Sequence, residues 1–157
     1  MTRAGIAYDL HRLADGRKLI LGGVEIPFDK GPVGHSNGDV LSHAICDALL
    51  GAASLGDIGR HFPDTDPQWR GANSLVFLER TREMLISCGL SIVHVDAVVV
   101  LERPKLGPYF PAIRAQLART LGVEESQLNL KAKTNEGVDA VGRGEAIACH
   151  AIVTLDA

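Results

Sequence analysis

The sequence predicts an α/β (α+β) sandwich formed by a single domain over residues 1–157, with a mixed four-stranded main sheet, helices on one face and a small N-terminal hairpin. Three observations lead there. Patterns alternate along the chain as strand, hairpin, helix, helix, strand, helix, strand, strand. The run from Ile92 to Leu101 (IVHVDAVVVL) is β-branched and nearly continuous. Apolar residues fall at helical spacing in three segments, two of which stop at a glycine, Gly89 and Gly122. A sheet covered on one face leaves the other free, and such a face commonly becomes a subunit interface.

Taken in order, Arg3 to His11 (RAGIAYDLH) reads as a strand, with Ile6 and Tyr8 among small residues. Lys18–Leu21 and Val24–Ile26 flank Gly22-Gly23 and read as a hairpin closed by a two-glycine turn. A glycine-rich approach, KGPVGHSNGD, leads into a helix from about Asp39, with Val40, Leu41, Ala44, Ile45, Ala48, Leu49 and Leu50 as its apolar surface. HFPDTDPQWRG is turn-like. Asn73 can cap a helix reaching Ser87, on which Leu75, Leu78, Leu85 and Cys88 share a stripe. Ile92–Leu101 is a strand expected to be buried on both faces. After the proline-punctuated PKLGPYFP, Phe110, Ile113, Leu117 and Leu121 mark a further helix. Leu128–Thr134 and Ala146–Leu155 close the sheet, joined by NEGVDAVGRGE.

Composition excludes several classes of function. Aromatic residues make up only 4% of the chain, which leaves no stacking platform for single strands. A formal charge of −3 argues against nucleic-acid binding through phosphate neutralisation. No apolar run approaches the roughly 20 residues of a membrane span. MTRAGIAYD lacks the layout of a secretory signal, and Cys46, Cys88 and Cys149 form no CxxC pair. These features lead us to expect a cytoplasmic setting, the bacterial cytosol or a plastid after processing.

The chemistry-bearing residues concentrate early. Within His35–Gly59, a helix from about Asp39 sets Asp39, His43 and Asp47 at i, i+4 and i+8 on one face. Either His43 is a core histidine satisfied by Asp39 or Asp47, or it is a metal ligand. Asp9 and His11 share one face of a strand. With His43 they make three N/O ligands with one tetrahedral position open, as in a catalytic zinc site, and Asp39 or Asp47 would then orient the imidazole. His35-Ser36 at the helix entrance make a phosphate cradle, or Ser36 or Asn37 simply caps the helix. Lys131–Glu136 (KAKTNE) with Arg143 can grip a diphosphate and its bridging Mg²⁺, or form a solvated charged turn. Pro104–Pro108 is a rigid loop whose backbone can read a base edge, or only a turn.

Together these segments become specific. YDLHRL, HSNGDVLSHAICDALLGAASLGDIGRHFPDTDP, LERPKLGP and KAKTNEGVDAVGRGEA closely resemble the 2-C-methyl-D-erythritol 2,4-cyclodiphosphate synthase family, over essentially the whole chain. The resemblance implies that Asp9, His11 and His43 are zinc ligands, and that His35 and Thr134 are catalytic, with His35-Ser36 contacting phosphate. Asp57, Ile58 and Gly59 would contact the sugar portion of the substrate, and Phe62 to Asp66, with Asp64, its methylerythritol part. Leu101, Pro104, Lys105, Leu106 and Gly107 would bind cytidine, with Lys105 and Lys133 near the diphosphate. Glu136 would hold a second divalent ion, Mg²⁺ or Mn²⁺.

The family implies a homotrimer with active sites between adjacent subunits, and a cytidine diphosphate-linked small-molecule substrate. It implies a phosphorus–oxygen lyase of the non-mevalonate isoprenoid pathway, in which 4-diphosphocytidyl-2-C-methyl-D-erythritol 2-phosphate cyclises and CMP leaves. Some positions depart from the family pattern. Asn37 stands where aspartate is usual, and Lys133 and Asn135 where threonines are frequent. Asp139-Ala140 replaces a common Gly-Phe, and Ala146 a glycine. The missing phenylalanine bears on a central trimer cavity, lined in the family with Arg143, where Ala140 now stands.

Overall fold

The structure is a computed structural model describing residues 1–157, organised around one long strand, β1 (Arg3–Asp15). Burial alternates along it. Gly5, Ala7 and Leu13 are buried on one face, while Ile6, Tyr8 and Leu10 are exposed on the other. The hairpin follows as β2 (Leu19–Leu21) and β3 (Val24–Ile26), turned by Gly22 and Gly23 at φ +57° and +76°, which places both central residues in the left-handed region. Next come β4 (Lys30–Pro32), α1 (Val40–Ala52), the short α2 (Ile58–His61), α3 (Leu75–Ser87) and β5 (Ser91–Val100). The chain ends with α4 (Phe110–Leu121), β6 (Leu128–Lys133), the short α5 (Asp139–Gly142) and β7 (Ala146–Asp156).

The main sheet has five strands in the order β4-β1-β7-β5-β6, not four. The addition is β4, whose Lys30-Gly31-Pro32 reads as loop because neither glycine nor proline favours a strand. As an edge strand it tolerates Pro32, and it draws β1 on past His11 to Asp15. The pairs β1–β7 and β7–β5 are antiparallel, and β5–β6 is parallel. The parallel pair brings the exits of β5 and β6 to one edge of the sheet.

Burial on β5 also differs from expectation. Val95, Ala97 and Val99 are buried, but Val93 is exposed and Val98 and Val100 are only half-buried. Within one chain, helices cover a single face, so the β-branched run is buried on one side alone. The uncovered side carries Ile6, Tyr8, Leu10 and Ile152, with Ile6 75% exposed.

Helix α1 lies across β1 and β7 with Val40, Leu41, Ala44, Ile45, Ala48, Leu49 and Leu50 fully buried. It is capped by Asp39, not by Ser36 or Asn37. The Asp39 carboxylate accepts from Ser42 N (3.0 Å) and the Ser42 hydroxyl (2.8 Å), and also from Gly22 N (2.9 Å) and Gly23 N (2.8 Å) of the hairpin turn. It thereby locks the hairpin to the helix start. Cys46 and Cys149 are buried, Cys88 is exposed, and no disulfide forms. No helix is long and apolar enough to cross a membrane.

Candidate functional site

The inward face of β1 presents Asp9 and His11 to α1, which presents His43 one turn from its start. His11 Nε2 lies 3.0 Å from Asp9 Oδ2 and 3.2 Å from His43 Nδ1, and His43 Nδ1 lies 3.3 Å from Asp9 Oδ2. Tetrahedral coordination at about 2.0–2.2 Å spaces its ligands roughly 3.3–3.6 Å apart, close to these separations. This is the one cluster of three such donors in the chain whose ligand atoms lie within 4.8 Å of one another. The residues therefore fit a divalent metal ion.

The outer nitrogens fix which ring nitrogens face that point. His11 Nδ1–H donates to Val33 O (3.0 Å), leaving the Nε2 lone pair inward. His43 Nε2 meets the hydroxyls of Ser36 (3.0 Å) and Ser74 (2.9 Å). Ser74 donates its own proton to Asn37 Oδ1, so it accepts from His43 Nε2–H, and the His43 Nδ1 lone pair also points inward. Neither Asp39 nor Asp47 orients His43. Asp39 is spent on the cap and hairpin, and Asp47 accepts from Ile58 N (2.9 Å), fastening α2 to α1. A buried His43 satisfied by those aspartates is excluded in the same way.

Ser74 is the residue that sequence reasoning missed. It occupies the N-cap position of α3 but makes no side-chain cap bond, while the side-chain oxygen Oδ1 of Asn73 accepts from Leu75 N (3.0 Å). Two cap-forming residues in succession left one hydroxyl to spare, and that was the available signal. Asn37 has the acceptor oxygen this relay needs, so the amide preserves the network that a carboxylate would form. Replacing Ser74 by Ala is expected to weaken divalent-metal affinity about tenfold with the fold intact, measured by competition with a chromophoric chelator. Unchanged affinity would dismiss the relay.

Electrostatics couple the cluster to pH. Burial would raise the Asp9 carboxyl, but its pairing with His11 and His43, each able to take a proton on the nitrogen that faces it, prevails and holds it well below the usual carboxylate range. Burial would lower His11, yet the bond and charge of Asp9 raise it above its ordinary 6.5. Protons therefore compete for His11 Nε2 at a higher pH than for a free imidazole. Metal affinity is expected to begin falling above pH 6.5 as the solution is acidified, and competition titrations from pH 8 to pH 5.5 measure the onset. The metal-free chain has the opposite dependence at His11: stabilisation from its pairing is complete below 6.5 and disappears as pH rises through the raised value. The Asp9 contribution is present above 3.8 and is lost as pH falls through the depressed value.

His11 and His43 line a cleft of about 480 Å³ with His35, Ser36, Ile58, Gly59, Phe62 and Asp64. His35 Nε2–H donates to Asp66 O (2.9 Å), tying the helix entrance to the 62–69 loop. The Asp66 side chain accepts from Gln68 N (3.0 Å) and Nε2 (2.7 Å), and Asp57 accepts from Arg60 N (2.9 Å), so both act locally as caps. Phe62 stacks on Phe77 with ring centroids 4.7 Å apart, forming an aromatic wall with Trp69.

The other candidates gather elsewhere. Leu101, Pro104, Lys105, Leu106 and Gly107 follow β5, and Lys133, Thr134 and Glu136 lie at the end of β6. Leu101 and Leu106 are buried in the core, so they present backbone alone. Thr134 Oγ1 accepts from Glu136 N (3.2 Å), leaving its own proton free to donate. Ala140 is half-buried on α5, and Arg143 pairs with Glu145 (3.2 Å). None of these residues lines the histidine cleft.

Comparison with known proteins agrees with this arrangement. A model of the YgbB family matches residues 2–156. A 2-C-methyl-D-erythritol 2,4-cyclodiphosphate synthase from Gloeobacter violaceus is 58% identical over 154 residues, covering 98% of this chain and 94% of that protein. A solved structure of 2C-methyl-D-erythritol-2,4-cyclodiphosphate synthase in a CDP-bound form has a TM-score of 0.90 at 42% identity, covering 98% of this chain and 100% of that one. The bifunctional IspDF from Campylobacter jejuni reaches a TM-score of 0.95 at 37% identity, covering 99% of this chain, which spans 42% of that longer protein. The chain therefore belongs to the YgbB family of 2-C-methyl-D-erythritol 2,4-cyclodiphosphate synthases, which are lyases.

Proposed function

We propose that the chain cyclises 4-diphosphocytidyl-2-C-methyl-D-erythritol 2-phosphate to 2-C-methyl-D-erythritol 2,4-cyclodiphosphate with release of CMP, as a zinc-dependent step of non-mevalonate isoprenoid synthesis. The observation that carries this reading is the Asp9–His11–His43 cluster, its donor atoms 3.0–3.3 Å apart at a cleft, in a chain of this family. An oxygen of the 2-phosphate forms a bond to the β-phosphorus, and the bond from that phosphorus to the bridging oxygen of CMP breaks. The nucleophile is already anionic near neutral pH, since a phosphate monoester loses its second proton at a pKa of about 6. No general base is needed for that step.

Asp9, His11 and His43 hold zinc, which when bound supplies Lewis-acid charge to the phosphate being attacked. His35 and Ser36 contact that phosphate at the start of α1, and Thr134 donates its hydroxyl proton to the diphosphate. Asp57, Ile58, Gly59, Phe62, Asp64 and Asp66 enclose the methylerythritol portion. Leu101, Pro104, Lys105, Leu106 and Gly107 bind cytidine through backbone groups, with Lys105 and Lys133 beside the diphosphate. Glu136 holds Mg²⁺ or Mn²⁺. These groups act chiefly by folding the substrate on itself and neutralising charge.

One chain does not complete this site. β1 and β6 lie three strand spacings apart, about 14 Å, too far for His35 and Thr134 of one chain to grip adjacent phosphates. The uncovered face bearing Ile6, Tyr8, Leu10 and Ile152 supports burial against further copies, and we propose a homotrimer with sites between subunits. The bacterial relatives support a cytosolic setting. Incubation with the cytidyl substrate and zinc, followed by ³¹P NMR, tests the reaction. Cyclic diphosphate plus CMP is expected; hydrolysed products would instead identify a metal-dependent phosphohydrolase. Sedimentation at three times the chain's 16.7 kDa is expected for the assembly.

A further inference from the structure

The parallel exits of β5 and β6 are joined by more than the ladder. Leu101 N donates to Lys133 O (2.9 Å), and the next residue, Glu102, is half-buried with both carboxylate oxygens engaged across the gap. Oε2 accepts from Asn135 N (3.0 Å) and Oε1 from Gly137 N (3.0 Å). Between those two amides sits Glu136, at φ +53°, with Gly137 at φ +74°. A left-handed conformation costs a non-glycine residue on the order of 1–2 kcal/mol and persists only where its surroundings impose it. The Glu102 carboxylate grips the turn on both sides of that residue. Asn135 Nδ2 secures the far side by donating to both Asp139 oxygens, each at 3.0 Å.

Glu102 belongs to the segment read above as the nucleotide loop, and Thr134–Glu136 to the turn read as holding the diphosphate and second cation. We infer that Glu102 is a positioning residue coupling the two: occupancy of the loop by a nucleoside diphosphate sets the turn, so that nucleotide and divalent cation bind cooperatively. The inference rests on the proposed function and extends it to a residue that touches neither ligand. Its chemistry requires a carboxylate. Both partners are N–H donors, so two acceptors are needed; glutamine offers one acceptor and turns an NH₂ against the other amide.

The test uses the full-length protein and two variants, Glu102→Gln and Glu102→Ala. Calorimetry measures CDP affinity alone, Mn²⁺ affinity alone, and each in the presence of the other. In the wild type CDP is expected to raise Mn²⁺ affinity about tenfold, with the reciprocal effect equal. In Glu102→Gln that coupling is expected to fall by about threefold or more, the remainder coming from the cation's direct contact with the diphosphate, while CDP affinity without Mn²⁺ and metal content at Asp9, His11 and His43 stay at wild-type values. Hydrogen exchange at the Asn135 and Gly137 amides is expected to accelerate. A merely structural role would lower both single-ligand affinities and thermal stability while leaving the coupling intact, and that result overturns the inference, as does wild-type coupling in Glu102→Gln. If Glu102→Ala fails to fold, the nearly isosteric Gln variant decides. A wild-type chain that binds no CDP removes the proposed function and this inference together; CDP binding with unaltered coupling removes this inference alone.

Discussion

Replacing His43 by Ala is expected to leave the purified protein without zinc and to lower turnover at least about a thousand-fold, with the assembly intact. The magnitude follows from a metal contribution of several kcal/mol to charge stabilisation, at about 1.4 kcal/mol per tenfold in rate. Removing the imidazole breaks a three-donor set whose members are 3.0–3.3 Å apart, leaving a carboxylate and one histidine. It also strands the Ser36 and Ser74 hydroxyls, which lose a partner but keep each other at 3.2 Å. The helix survives because its buried surface, Val40 to Leu50, does not include this side chain. The proposed subunit contact lies on the opposite face of the sheet. Metal analysis and sedimentation of the same preparation check both halves, and wild-type zinc content would remove His43 from the ligand set.

The second large effect is expected far from any ligand. Gly5 on β1 lies under α1, where an added Cβ would stand 2.0 Å from Ala48 O and 2.7 Å from Ala52 N. Those atoms are helix backbone, so no flexible side chain can give way. Gly5→Ala is expected to cost about 2–4 kcal/mol and to lower Tm by about 5–15 °C. The helix can relieve the clash only by lifting from β1, which carries His43 away from Asp9 and His11. Metal affinity should therefore fall together with Tm, although the substitution touches no ligand. Thermal melts with and without added zinc separate the two effects. A wild-type Tm would mean that the contact between β1 and α1 is looser than these distances imply.

Much of the chain's organisation was visible in residue order. The apolar spacing of Val40–Leu50, the two-glycine turn and the β-branched stretch at Ile92 each report a local periodicity, and each became the expected element. Asp9 and His11 were legible as a pair because alternate strand residues share a face whatever the sheet does. β4 was not legible: Lys30-Gly31-Pro32 has no strand propensity and exists by pairing with Leu13, Ala14 and Asp15. The partners of Asp39 and Asp47 were misread for a related reason. Helical spacing set both near His43, but Gly22, Gly23 and Ile58, which claim them, come from other segments. Glu102 escaped notice because its importance lies in two amides more than 30 residues away.

By itself the sequence determined most of the element types, the three side chains that converge as a candidate metal site and the family, because periodicity and motif spacing are properties of neighbouring residues. Only the tertiary structure decided which groups orient His43, how β1 acquires its outer partner, and that the cleft of one chain lies three strands from Thr134. Those outcomes depend on which distant segments compete for the same donors and acceptors, and residue order alone does not express that competition.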